Sequence, residues 1–185
     1  MINSTNLRNG SFFMDQGAPF KVLGYEHIKM ARGGAVVKVK AKDLLTGSIK
    51  DITLTNNDRV EEADIENRNL QYLYNDGSNY FFMDSEDYSQ YEIPKDVISE
   101  EVKYLVEGRE FQLTMYEGKP IAIILPASMF FVVKSAPPAV KGNTATSATK
   151  KITLENGLTV DAPQFIKEGD TVKINTTTGE YVSRG

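Results

Sequence analysis

Apolar residues recur at every second position over short stretches of this chain, the period of a strand with one face buried and the other in water. Ala35, Val37, Val39 and Ala41 alternate with Val36, Lys38, Lys40 and Lys42, and Phe20, Val22, Gly24 and Tyr25 form an apolar run before them. Residues 20–42 therefore read as one long hairpin whose turn is Lys29-Met30-Ala31-Arg32-Gly33-Gly34. The glycine pair suits a tight turn and carries no side chain to obstruct an approaching partner. Two readings of Arg32 stay open: a solvated surface arginine, or a guanidinium presented at the hairpin end.

The same alternation divides the chain into three β-rich segments. In residues 1–63, Ser11-Phe12-Phe13-Met14 and Pro19-Phe20-Lys21-Val22-Leu23 flank a Gln16-Gly17 turn, and a further strand runs from Ile49 to Leu54 after Thr46-Gly47. Short strands with frequent turns predict a small barrel. In residues 64–127, Leu70, Tyr72 and Tyr74 alternate before Asn75-Asp76-Gly77-Ser78, and the pattern resumes at Tyr80-Phe81-Phe82-Met83, an antiparallel hairpin signal. Val97, Ile98, Val102, Leu105 and Val106 predict a short helix over 95–106, stopped at Gly108. Strands return on either side of Glu117-Gly118-Lys119, so strands, helix and strands follow in the order of an oligonucleotide-binding (OB) barrel. In residues 128–185, Phe130-Phe131-Val132-Val133 breaks at Ala136-Pro137-Pro138, a hydroxyl-rich loop follows over 142–150, and Asn156-Gly157 and Thr178-Gly179 mark two hairpins of another small barrel.

Composition narrows the setting. The chain has 185 residues, 41% hydrophobic and 25% charged, which is the composition of a folded globular protein. It has no cysteine, hence no disulfide, no thiolate nucleophile and no thiolate metal site, and a reducing cytoplasm is the expected compartment. No signal-peptide core opens the chain, and no apolar run nears the roughly twenty residues that span a bilayer. A soluble, unexported monomer is expected. The net charge of −4 is unevenly spread. Residues 1–50 hold eight Lys and Arg against three acids, a net +5, which leaves −9 for the remainder. The hairpin end is thus the basic end, with Lys38, Lys40 and Lys42 as candidate RNA contacts that could steer it toward phosphates, or as the water-facing side of an ordinary strand.

Catalytic constellations are not evident. The single histidine, His27, has no cysteine partner, and no GxxxxGK[ST], GxGxxG, HExxH or GxSxG sequence occurs. Glu61-Glu62 and Glu100-Glu101 read as solvated pairs rather than an acid/base couple. No metal site, cofactor or catalytic residue is expected. Tyr72, Tyr74, Tyr80, Phe81 and Phe82 could form a base-stacking platform, but Asp76, Asp84, Glu86 and Asp87 beside them oppose a nucleic-acid backbone, and core positions fit most of them better.

Three stretches resemble bacterial elongation factor P: the tip Lys29-Met30-Ala31-Arg32-Gly33-Gly34-Ala35; Lys42-Asp43-Leu44-Leu45-Thr46-Gly47, similar to the family's N-L-L-T-G; and Pro163-Gln164-Phe165-Ile166-Lys167-Glu168-Gly169-Asp170 with Thr178-Gly179-Glu180-Tyr181-Val182. The likeness runs end to end. It implies an all-β fold of three small barrels in tandem, SH3-like (KOW) first and then two OB-type barrels, in the L-shaped outline of a tRNA. It implies a non-catalytic factor that sits on the ribosome between the peptidyl and exit tRNA sites and relieves stalling at consecutive prolines. By the same resemblance Arg32 reaches the CCA end of peptidyl-tRNA, Gly142, Asn143, Thr144 and Ala145 form a loop facing the mRNA, and Tyr181 and Arg184 contact RNA.

Where many relatives carry a β-lysylated lysine at the tip, this chain has Arg32, the mark of a branch in which a separate glycosyltransferase attaches rhamnose from a dTDP-rhamnose donor. Guanidinium and ammonium differ chemically, so the lysine route does not apply. Met30 and Ala31 stand where proline or serine and then glycine are usual, and an unmodified tip is the alternative. Asn143 replaces an aspartate and Ala162 a valine. The rival functional class is a ribosome-independent RNA-binding barrel, such as a chaperone or antiterminator; an enzyme comes third.

Overall fold

The computed structural model describes residues 1–28, 36–138 and 149–185. Among these residues sixteen strands form three antiparallel sheets and there is no α-helix. The sheets span residues 2–62, 66–124 and 128–184.

The first sheet contains β1 (Ile2–Asn3), β2 (Phe12–Asp15), β3 (Ala18–Ile28), β4 (Val36–Asp43), β5 (Ile49–Thr55) and β6 (Arg59–Glu62), in the order β1-β6-β2-β3-β4-β5. Its core takes alternate residues from each strand: Phe13, Phe20, Val22, Val37, Val39 and Ala41 close over Leu7 and Val60. The Gln16-Gly17 turn joins β2 to β3 through the Asp15↔Ala18 pair.

The second sheet has β7 (Glu66–Asn75), β8 (Asn79–Met83), β9 (Gln90–Pro94), β10 (Glu110–Tyr116) and β11 (Lys119–Ile124), ordered β11-β10-β7-β8-β9. Its two edge strands, β9 and β11, come alongside each other, so the sheet curls nearly into a barrel around Leu70, Phe82, Ile93 and Leu113. The third sheet, β12 (Ser128–Ser135), β13 (Thr149–Leu154), β14 (Thr159–Pro163), β15 (Thr171–Asn175) and β16 (Tyr181–Arg184), is ordered β14-β13-β12-β15-β16 around Phe131, Ile152, Leu154, Val172 and Ile174.

The helix expected over 95–106 does not form. The segment is a run of turns ending in one 3₁₀ turn, Val102–Tyr104. The apolar spacing arises because the segment serves two cores at once. Val97, Ile98 and Leu105 fill the second sheet's core, whereas Tyr104, 1% exposed, lies in the third sheet's core. The apolar positions therefore do not form the single core-facing stripe from which a helix is expected.

A second departure concerns Tyr74. The ladder between β7 and β8 slips by one residue between Tyr72 and Tyr74, a β-bulge that reverses the facing of everything beyond it. Tyr72 is buried, but Tyr74 is 48% exposed and stacks on Phe81 with ring centroids 4.7 Å apart.

The sheets are joined by specific contacts. Leu44, which follows β4, is buried with Ile121 and Ala122 of β11. At the other junction Arg109 donates to the Phe130 carbonyl at 2.6 Å, and Asn156 Nδ2 donates to the Lys103 carbonyl at 2.8 Å.

Candidate functional site

The basic hairpin is built by β3 and β4, which pair from Phe20↔Asp43 to Ile28↔Val36. A bulge between Val22 and Gly24 turns Leu23 outward and shifts the parity of β3, so that Tyr25 packs beside the core and Gly24 lies opposite Lys40. On β4 the core takes Val37, Val39 and Ala41, and the opposite face therefore presents Lys38 and Lys40 to solvent. These two lysines line a cleft of about 470 Å³ with Gly24, Tyr25, Asp51 and Thr53. Each stands opposite an acid on a neighbouring strand: Lys38 pairs across with Glu26, and Lys40 with Asp51. Neither lysine is in an ion pair among the described residues, so the face is a patterned one, cations flanked by carboxylates, rather than a uniformly positive strip.

Lys42 behaves differently. Its Nζ donates to the Val97 carbonyl at 2.7 Å, spending the ammonium on the junction between the first two sheets. Lys29, Met30, Ala31, Arg32, Gly33 and Gly34 fall in 29–35, outside the described residues, as do Gly142, Asn143, Thr144 and Ala145 in 139–148.

The remaining candidates lie on β16. Tyr181 opposes Ile174 and packs partly against the third core. The Arg184 side chain, 56% exposed, directs Nη2 to Asp170 Oδ1 at 2.9 Å. Asp170 also accepts the Lys167 N–H, so it fixes both its own turn and the guanidinium. The stretch from Pro163 to Asp170 thereby explains itself as a fold-making turn: Ile166 is fully buried, Gln164 Nε2 donates to the Thr149 carbonyl, and Asp170 closes the loop.

Tyr72, Tyr80 and Phe82 are core residues, and burial pushes the Tyr72 hydroxyl's pKa upward. Only Tyr74 and Phe81 form an outward stack. His27 is exposed, with Nε2 hydrogen-bonded to Asn56 Oδ1 at 3.1 Å. No cluster of three His, Asp or Glu suited to a metal ion occurs among the described residues, and no described helix is long and apolar enough to cross a membrane.

Sequence reasoning missed the contacts that hold the sheets together, chiefly Lys42 to Val97 and Arg109 to Glu155. One signal was present: the Leu44-Leu45-Thr46-Gly47 stretch was recognisable, although not what it packs against.

The chain is thus a six-stranded β domain with a lysine-bearing hairpin followed by two five-stranded β domains. The chain matches the elongation factor P KOW-like domain over residues 3–60, the elongation factor P OB domain over 65–123 and the elongation factor P C-terminal domain over 130–184. It belongs to the elongation factor P family. Among solved structures it is similar to eukaryotic translation initiation factor 5A from Methanococcus jannaschii, at 24% identity over 66% of this chain and 94% of that one, with a TM-score of 0.47. It is also similar to a translation initiation factor eIF-5A family protein from Naegleria fowleri ATCC 30863, at 20% identity over 67% of this chain and 94% of that one, with a TM-score of 0.43.

Proposed function

We propose that this translation factor binds the ribosome between the peptidyl and exit tRNA sites and speeds peptide-bond formation at consecutive prolines by positioning peptidyl-tRNA. The observation that carries the reading is the β3–β4 hairpin, whose outer face offers Lys38 and Lys40 and whose strands are joined by the segment that contains Arg32. The chemistry supplies the need. Proline's ring fixes φ and makes its nitrogen a secondary amine, so a poorly placed peptidyl-tRNA loses the proximity on which the reaction depends. In this reading Arg32 meets the CCA end, Lys38 and Lys40 meet phosphates, and Tyr181, Arg184 and residues 142–145 meet RNA on the small-subunit side. The protein contributes binding and position and no reacting group. It acts as a cytoplasmic monomer.

Arg32 is also the residue we assign to modification. A separate transferase would join a guanidinium nitrogen to the anomeric carbon of rhamnose, with the nucleoside diphosphate leaving and the nitrogen losing a proton. The acidic balance outside the first segment disfavours a general RNA-binding role. Deletion of the gene is expected to slow reporters with consecutive prolines selectively, and Arg32→Ala is expected not to restore them. Uniform slowing of all reporters, or full restoration by Arg32→Ala, would overturn the reading.

A further inference from the structure

The turn between β4 and β5 sits against the second sheet's connecting segment in a way no ordinary surface turn requires. Three independent contacts converge there. Lys42 Nζ donates to the Val97 carbonyl at 2.7 Å, a carbonyl that accepts no backbone N–H among the turn hydrogen bonds of its own segment. Leu44, 2% exposed, is inserted between the sheets against Ile121 and Ala122, while its neighbour Leu45 is 51% exposed. Gly47 has φ +76°, and a Cβ placed on it would lie 2.5 Å from the Asp96 carbonyl oxygen and 2.9 Å from its carbon. Both obstructing atoms are backbone, so no side chain can swing aside.

The turn itself is rigid. Gly47 N–H donates to the Asp43 carbonyl at 2.9 Å, and Asp43 Oδ1 accepts the N–H groups of Leu45 and Thr46 at 2.8 and 3.1 Å. A stiff turn pressed backbone-to-backbone on its neighbour transmits orientation, because a packed contact without voids cannot deform continuously. Asp43 also pairs with Phe20 at the base of the β3–β4 hairpin. Whatever sets this turn therefore sets the direction in which the whole hairpin points.

We infer that Lys42, Leu44 and Gly47 form a positioning joint that fixes the angle of the β3–β4 hairpin relative to the second sheet, and that Lys42 serves this joint rather than contacting RNA. The inference rests on the proposed ribosomal role for its consequence, but not for its geometry. An error in this angle is magnified along the eleven-residue β3, and displacement of a reacting group by ~1 Å can cost roughly a hundredfold in rate.

Gly17 provides an internal control. Its φ is +81°, so alanine there meets the same backbone strain, but nothing lies within 4 Å of its Cβ position. The test uses full-length protein with spin labels on Asn57→Cys and Glu86→Cys, the parent chain having no cysteine. Distance distributions between the labels are measured beside the rate of Pro–Pro bond formation on reconstituted ribosomes, titrated with factor. Gly47→Ala and Lys42→Met are expected to shift the distance distribution and lower the saturating rate by about tenfold, whereas Lys42→Arg and Gly17→Ala restore or retain both. Unchanged distances in Gly47→Ala and Lys42→Met would overturn the joint. So would a Lys42→Met defect confined to the half-saturating concentration, the signature of a lost RNA contact. Arg32→Ala run in parallel separates the two ideas: full activity in that variant refutes the ribosomal reading, while the distances report on the joint alone.

Discussion

Arg109 Nη2 lies 2.7 Å from Glu155 Oε1, joining the start of the second sheet's last hairpin to the turn after β13. The same guanidinium donates to the Phe130 carbonyl, and the same carboxylate oxygen accepts the Val132 N–H at 3.0 Å. The pair thus ties side chains and strand backbone on both sides of the junction. With side-chain exposures of 36% and 29%, solvent screens much of the attraction. A double-mutant cycle of Arg109→Met and Glu155→Gln, read by urea unfolding, is expected to give a coupling of about 0.5–1 kcal/mol. A coupling of zero would mean the ion pair itself adds nothing to the junction, leaving it to Tyr104 with its apolar neighbours and to the Asn156–Lys103 hydrogen bond.

The joint after β4 predicts a sharp contrast between adjacent leucines. Leu44→Ala should destabilise the protein by about 2–4 kcal/mol, because it opens a cavity between two sheets that cannot fully collapse. Leu45→Ala, at an exposed position, should change stability by less than about 0.5 kcal/mol. Equal effects in chemical denaturation would show that Leu44 is not buried in solution.

Acid should weaken the second sheet's first hairpin. Asp76 Oδ1 accepts the N–H groups of Asn79 and Ser78 at 2.7 and 2.9 Å, and these bonds, Asn79 first, hold its carboxyl below the usual carboxylate range. In the unfolded chain the group binds protons more readily, so its contribution is complete above the unfolded pKa and fades as pH falls through the folded one. Unfolding measured across the acidic range should therefore show a shallower loss of stability in Asp76→Asn than in the parent. A steeper loss would reverse the assignment.

Much of this architecture could be read from residue order. Hairpins announced themselves wherever alternating apolar runs flank a turn dipeptide, as at Gln16-Gly17 and Asp76-Gly77, because turn chemistry and side-chain period are local properties. What escaped was whatever depended on a second element. The spacing of Val97, Ile98 and Leu105 resembles a helical stripe only if one core is assumed, and Tyr104 belongs to another. A bulge of one residue sent Tyr74 outward although its spacing from Tyr72 predicted the core. Lys42 continued the exposed alternation of Lys38 and Lys40, and nothing in the chain itself could reveal the Val97 carbonyl waiting opposite it. Alternation alone marked Lys38 and Lys40 as an outward strand face, and Tyr181 and Arg184 came only from the resemblance; neither could show the acids Glu26 and Asp51 that register sets beside the lysines.

Modification of the tip is checked by mass. Protein purified from its native host, fragmented across residues 28–36, should carry a deoxyhexose on Arg32. An unmodified arginine in fully active protein would exclude the assignment and leave the guanidinium itself as the working group.

The protein is proposed to position peptidyl-tRNA through Arg32, in the segment that joins β3 to β4, and pre-steady-state kinetics on reconstituted ribosomes test this most directly. Peptide-bond formation between two prolines is expected to accelerate in the presence of the factor, with little change for a non-proline pair, and Arg32→Ala is expected to lose most of that acceleration while still binding ribosomes. Equal acceleration by the parent protein and Arg32→Ala, or no difference between proline and non-proline pairs, would contradict it.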